Sequence, residues 1–235
     1  MINKTKATCL EAVAGVFDGA TVMIGGFGGP GYPAQLSEAL REQGAKNLVV
    51  VSNGAGNDDW ALGGLIKDGR VRKLVCSFPN YPTATAFRER YVSGDLELEL
   101  LPQGTLVERI RAAGAGLGGF YTPTAAGTEL AAGKELRVIK GREYVFEEPL
   151  HADFALIKAH RGDRLGNLSY RLAMRNFNLI MATAAKTVIA EVDELVPAGK
   201  ISPEEVHTPG IFVDRVVQVE RHPLLFIPRK EASAS

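Results

Sequence analysis

The chain predicts an open, mainly parallel α/β sheet with helices on both faces and one small β-hairpin excursion. Three observations carry this. Apolar runs of strand length alternate with segments of helical period along most of the 235 residues. The first strand run breaks into a glycine-rich turn, where open α/β sheets place their chemistry. No internal repeat, low-complexity block or linker divides the sequence, so residues 1–222 read as one domain and 223–235 as a C-terminal tail with little to bury.

Taken in order, Thr8 and Glu11 stand at capping-box spacing. They open a helix with Leu10, Val13 and Phe17 on one face, closed by Asp18-Gly19. Thr21–Ile24 is a buried strand, followed by the turn Gly25–Gly31. Pro33 opens a second helix, with Leu36, Ala39 and Leu40 facing inward and Gly44 at its end. Leu48–Val51, Lys73–Ser77 and Leu96–Leu101 read as strands, with a helix over Trp60–Ile66. Thr105 and Glu108 form a second capping box at the head of a short helix, and Ser202–Glu205 a third. Two β segments flank Lys140-Gly141 as a hairpin, and Asp153–Ala159 and Thr187–Val192 complete the strand set.

Composition narrows the function. Lys plus Arg number 27, as do Asp plus Glu, so the formal net charge is zero and no basic excess marks a nucleic-acid partner. No run of about 18 apolar residues could span a membrane, and the start leads into a capped helix where a signal peptide would carry an apolar core. Cys9 and Cys76 are too few for a disulfide framework and read as reduced thiols. The expected location is the cytoplasm. His151, His160, His207 and His222 lack metal-ligand spacing, so no metal is expected. His151, beside Asp153, reads as a structurally satisfied histidine, and the basic residues over 140–142 and 160–164 as solvated surface or contacts between chains.

The turn is the densest signal: Gly25, Gly26, Phe27, Gly28, Gly29, Pro30, Gly31. Gly26, Gly28 and Gly31 even satisfy G-x-G-x-x-G. A dinucleotide site, however, wants an acidic residue at the end of the second strand, where this chain has Ser52-Asn53. Pro30 and Pro33 also crowd the place where free helix N–H groups would meet a pyrophosphate. So many glycines exceed what a plain connection needs and leave room for a ligand or another backbone to approach. A bare strand-to-helix connection is the structural alternative.

Asp18–Phe27, with Gly31 and Pro33 in place, resembles the signature of the A-type subunits of the 3-oxoacid and 3-oxoadipate CoA-transferase family. Val51–Asn53, Pro102–Arg111, Gly116–Pro123, Pro149–Asp153, Gly166–Leu168, Arg175–Phe177 and His207–Gly210 resemble the same family in the same order. The resemblance implies the CoA-transferase fold, related to the α/β core of sugar-phosphate isomerases and sugar-sensing domains. It also implies coenzyme A as a substrate with no permanently bound cofactor.

In that family a glutamate on the B-type subunit, within a Ser-Glu-Asn-Gly stretch, attacks the acyl-CoA and passes through an anhydride to a glutamyl-CoA thioester. This chain lacks the stretch: Glu38 follows Ser37, but Ala39 comes next and the pair sits mid-helix. The resemblance therefore implies a B-type partner chain, most simply in an A2B2 assembly. The active site would lie at the seam, assisted on this side by Asn53 and Gln103. Both are neutral amides that follow a strand end and precede a Gly, and both can donate to a carboxylate without adding charge. Their structural alternatives are an Asx turn and a loop-bridging amide. The turn Gly25–Gly31 is similar to the coenzyme-contacting segment. Cys76–Pro79 and the compact loop before Lys134 resemble the 3-oxoadipate branch more than the longer ketone-body enzymes, so succinyl-CoA:3-oxoadipate transfer is expected, with acetoacetate as the alternative acceptor. The rival functions are a sugar-phosphate isomerase, which would need a phosphate-gripping Ser, Thr or Lys in the first loop, and a non-catalytic CoA-binding module.

Overall fold

The computed structural model describes residues 2–57 and 60–220, so His222 and the expected tail from residue 223 lie outside the described residues. The strands are β1 (Thr5–Lys6), β2 (Thr21–Ile24), β3 (Leu48–Val51), β4 (Val71–Cys76), β5 (Glu97–Leu100), β6 (Phe120–Thr122), β7 (Leu136–Ile139), β8 (Arg142–Glu147), β9 (Ala152–Asp163), β10 (Leu168–Ser169), β11 (Ala185–Val196) and β12 (Arg215–Gln218). The α-helices are α1 (Cys9–Val13), α2 (Ala34–Gln43), α3 (Leu62–Lys67), α4 (Thr85–Val92), α5 (Gln103–Gly114) and α6 (Asn176–Ala184).

Among the described residues the main sheet runs β1-β12-β11-β9-β2-β3-β4-β5, every neighbour parallel, with β10 added antiparallel to β9. A three-stranded antiparallel sheet, β6-β8-β7, contains the hairpin expected at Lys140-Gly141. Period-two alternation divides the core between the two faces of the main sheet. Val22, Ile24, Leu48, Val50 and Leu74 pack with Leu36, Leu40, Leu65 and Phe87 of α2, α3 and α4. Met23, Val51, Val75 and Ile157 point the other way, to Leu106, Ile110, Phe177 and Met181 of α5 and α6. Each wholly buried side chain of this kind stabilises by about 1.5–3 kcal/mol.

The local signals hold in part. Thr8 Oγ1 accepts from Glu11 N at 3.1 Å, but the Glu11 carboxylate reaches back to Ala7 N at 3.0 Å, one residue before the cap. The helix then stops at Val13, with Gly15 at φ 95°, so the expected run to Asp18 does not form. Leu10 and Phe17 are consequently exposed, and Phe17 meets Phe154 edge-on at 5.9 Å. Thr105 lies inside α5, buried, with no hydrogen bond to its hydroxyl, so it caps nothing. Ser202 precedes a single 3-10 turn without a side-chain cap bond. The expected strands at 153–159 and 187–192 extend into 12-residue strands.

The start of β2 is tied across the sheet. Asp153 Oδ2 accepts from Thr21 N at 3.0 Å, and Oδ1 lies 2.9 Å from Lys186 Nζ. The Thr21 hydrogen bond, with Lys186 beside it, holds the Asp153 carboxyl below its ordinary value. A depressed carboxyl contributes stability above its unfolded pKa and loses it as pH falls through the folded one. Asp153→Ala should therefore cost roughly 0.5–1.5 kcal/mol at pH 7. In urea titrations, the gap from wild type should close as pH falls below the ordinary carboxylate range.

Candidate active site at the strand ends

All four strands on one side of β9 deliver a polar or glycine residue at their C-terminal ends. Gly25 follows β2, Ser52-Asn53 follows β3, Ser77 follows β4, and Gln103 opens α5 after β5. The chain adds β3, β4 and β5 to one side of β2 and β9, β11 and β12 to the other, so the turn after β2 lies at the topological switch point.

The turn is buried at its ends and open in its middle. Gly25, Gly26 and Gly31 are buried, while Phe27 and Gly28 are exposed. Gly26, Gly28 and Gly31 have φ values of 101°, 61° and 71°, which L side chains adopt at a cost. A Cβ on Gly25 would stand 1.9 Å from Asn178 Oδ1, and one on Gly26 2.9 Å from the Tyr32 Cα, whereas one on Gly28 would meet nothing within 4 Å. The glycine surplus is thus spent largely on close packing within the fold. Gly28, with Gly29, borders a cavity of about 420 Å3, whose other walls include Ser52, Asn53, Trp60 and Tyr81.

Asn53 and Gln103, 50 residues apart in sequence, meet here: Gln103 Nε2 donates to Asn53 Oδ1 at 2.7 Å. The same oxygen accepts from Ser77 Oγ at 3.0 Å, while the Asn53 carbonyl takes the N–H groups of Ser77 and Phe78 at 3.2 and 3.0 Å. Burial raises the Tyr81 hydroxyl, opposed by a hydrogen bond from the Asn53 side chain, so Tyr81 stays protonated at neutral pH. Asn53 is buried and Gln103 exposed. Each amide carries two N–H donors, and the contacts named leave one on each free. The bridge ties the head of α5 to the segment that leaves β3.

No carboxylate stands among the described residues lining this cavity. Glu38 is committed elsewhere: its Oε1 accepts from Ala61 N at 2.5 Å, and Ser37 Oγ donates to Pro33 O at 2.8 Å. Among the described residues no cluster of three or more His, Cys, Asp or Glu could hold a metal, and no helix is long and apolar enough to cross a membrane. His151 is exposed and makes no hydrogen bond with the described residues, against the expectation that it is structurally satisfied.

Sequence reasoning also missed a buried ion cluster. Lys158 Nζ lies 3.3 Å from Glu191 and 2.8 Å from Asp193, and His160 Nδ1 lies 3.2 Å from Asp193. Glu191 Oε2 accepts from Leu36 N at 2.8 Å near the head of α2, and burial pushes its carboxyl up. His160, at the head of the segment whose basic residues were expected as solvated surface or contacts between chains, is tied to this cluster through Asp193. Charges within an otherwise apolar strand were the available signal. The cluster walls a second cavity of about 290 Å3 against Gly29, Pro30 and Gly31.

The family model described as Coenzyme A transferase matches residues 6–219. The A-type chain of the 3-oxoadipate CoA-transferase of Pseudomonas putida is 57% identical over 219 residues, covering 93% of this chain and 95% of that protein. The A-type chain of a probable succinyl-CoA:3-ketoacid coenzyme A transferase of Bacillus subtilis (strain 168) is 47% identical over 216 residues, covering 92% and 90%. Among solved structures, an acyl-CoA transferase of Escherichia coli O157:H7 superposes with a TM-score of 0.79 at 23% identity. That match covers 92% of this chain and 47% of the larger one, and so shows the shared fold. The chain belongs to the coenzyme A transferase family. Within it, the relatives it matches from end to end are A-type subunits.

Asn53→Ala should strip partners from Gln103, Ser77 and Tyr81 and cost about 1–3 kcal/mol. Gln103→Ala, at an exposed position, should cost under about 0.5 kcal/mol. Thermal melts of the two variants check the order.

Proposed function

We propose that this chain is the A-type half of a CoA-transferase that moves coenzyme A from succinyl-CoA to 3-oxoadipate, with the nucleophilic glutamate on a B-type partner. The carrying observation is the Asn53–Gln103 amide pair at the strand ends, beside a cavity whose described lining residues include no carboxylate. The described lining residues can bind and donate hydrogen bonds, but none of them is able to form the acyl anhydride. A partner carboxylate meeting this wall completes it.

The chemistry balances without an outside reagent. The partner's carboxylate attacks the succinyl thioester carbonyl, the C–S bond breaks, and CoA thiolate leaves. The thiolate then attacks the glutamyl carbonyl of the anhydride and expels succinate, leaving CoA on the enzyme. The acceptor acid enters and the two exchanges run in reverse. Each exchange passes through a tetrahedral oxyanion, to which preorganised neutral donors contribute most. In this reading the remaining N–H groups of Asn53 and Gln103 would serve that role, with Gly28 and Gly29 as the rim on which the coenzyme would rest; their position beside the cavity supports it. The assembly would be A2B2 and the setting cytoplasmic, with coenzyme A held only as a substrate.

The order of similarity supports this acceptor, since the 3-oxoadipate relative is 57% identical and the 3-ketoacid relative 47%. Acetoacetate is the second reading, favoured by the latter. Co-expression with a B-type chain and a CoA-exchange assay across both acids decides. We expect no turnover from this chain alone and a higher kcat/KM for 3-oxoadipate than for acetoacetate. Full activity without a partner would end the proposal. In the complex, Gln103→Ala should lower kcat by about 10²–10³ while leaving KM nearly unchanged. An unchanged kcat would leave Gln103 as a loop bridge only.

A further inference from the structure

One fully buried side chain meets both ends of the glycine turn. Asn178, on α6, is 0% exposed. Its Nδ2 donates to Gly31 O at 2.8 Å and to Met174 O at 2.8 Å, and its Oδ1 accepts from Lys158 N on β9 at 3.0 Å. A Cβ on Gly25 would lie 1.9 Å from Oδ1, and one on Gly31 2.6 Å from Nδ2. The amide therefore fills the space that the two terminal glycines leave. Asn176 adds a lesser tie, Nδ2 to Pro30 O at 2.9 Å. Between its ends the turn also carries its own backbone bonds, Phe27 N to Pro30 O at 3.2 Å and Tyr32 N to Gly29 O at 3.3 Å.

The demand at position 178 is specific. Two carbonyl oxygens need donors and one N–H needs an acceptor, within the volume of a four-heavy-atom side chain. Among side chains only a primary amide offers this set, and Gln is one methylene too long. A carboxylate of the same shape would keep the bond to Lys158 N but face two carbonyl oxygens with no proton to share. Leaving a buried polar group without its partner is costly, and the strain falls on the turn because the other anchors are strand and helix backbone.

We propose that Asn178 is a positioning residue for the coenzyme: it fixes the height and orientation at which Gly28 and Gly29 meet the CoA portion of the thioester substrate. It touches no reacting atom. This rests on the reading that the turn is the coenzyme's rim, and it adds that the rim's geometry is set by one amide inside the fold. Small misplacements of a binding surface have large kinetic consequences, and here they should fall on one substrate only.

The experiment uses the assembled complex with a B-type partner, carrying Asn178→Asp, Asn176→Ala or Gly28→Val. For Asn178→Asp, the KM for succinyl-CoA should rise at least about tenfold, equivalent to about 1.4 kcal/mol, with the KM for the free acid within about twofold of wild type. Unchanged KM values in an assembled Asn178→Asp complex, or equal rises for both substrates, overturn the proposal. If Asn178→Asp does not assemble, Asn176→Ala decides. A rise of about threefold in the succinyl-CoA KM alone, roughly half the free energy of a tenfold effect, supports it, and no change overturns it. Gly28→Val tests the underlying reading separately, because its side chain would stand in the open rim. If Gly28→Val raises the succinyl-CoA KM and Asn178→Asp does not, the rim stands and the positioning role falls. If Gly28→Val leaves that KM unchanged, the rim reading falls and the proposal with it.

Discussion

Val22, Met23 and Ile24 of β2 pair in register with Phe154, Ala155 and Leu156 of β9, and this seam joins two halves of a sheet that the chain builds in opposite directions. Everything at the site follows from it. Because every neighbour along the main path is parallel, all C-terminal ends lie on one edge. Because the build reverses at β2, the connection leaving β2 is not covered by the next crossover, and a crevice opens beside it. The same seam sets how far the β9 half projects. Ile24, the last residue of β2, pairs with Leu156, and β9 runs on to Asp163 beyond it. Lys158, whose backbone N–H is bound by Asn178, sits in that overhang.

Close packing and open space share one turn without conflict because they use different glycines. The buried ends, Gly25, Gly26 and Gly31, are pressed against the fold's own atoms, while Gly28 faces open space. A rim of this kind is rigid at its anchors and bare at its crest. The amide pair beyond it follows the same logic, with Asn53 buried and held by several partners and Gln103 exposed at the mouth, held by Asn53. Polarity without charge runs through the described lining of the larger cavity. It suits the proposed role of hydrogen-bonding a partner's anionic nucleophile without neutralising it.

Much of this was legible in the residues. Strand runs, the glycine turn and the α2 boundaries at Pro33 and Gly44 were read correctly because apolar period and turn chemistry agreed there. α6 was not seen: Asn176–Ala184 is apolar nearly all round, lacks a side-chain cap, and passes into β11 at Ala185 with no turn residue between. α4, Thr85–Val92, is short and polar on most sides, so no apolar stripe announced it. β12 is a four-residue strand whose place depends on pairing with β1 and β11. α1 was read too long because Phe17 fits the helical period, while Gly15 breaks it in a left-handed conformation. Asn53 and Gln103 could be picked out by type and position, but their contact is a product of strand order. Asn178 was invisible for the reason that hid its helix, although an amide leading into an apolar run is itself a hint of a buried hydrogen-bonding task.

The central claim is a division of labour, with binding, rim and amides on this chain and the covalent step on another. It is tested most directly by finding where the coenzyme becomes attached. The assembled complex is incubated with succinyl-CoA in the absence of an acceptor acid, the chains are separated, and each is weighed by mass spectrometry. The account predicts a coenzyme A adduct on the partner chain, discharged when the 3-oxo acid is added, with this chain at its unmodified mass. A dischargeable coenzyme A adduct on this chain would contradict it.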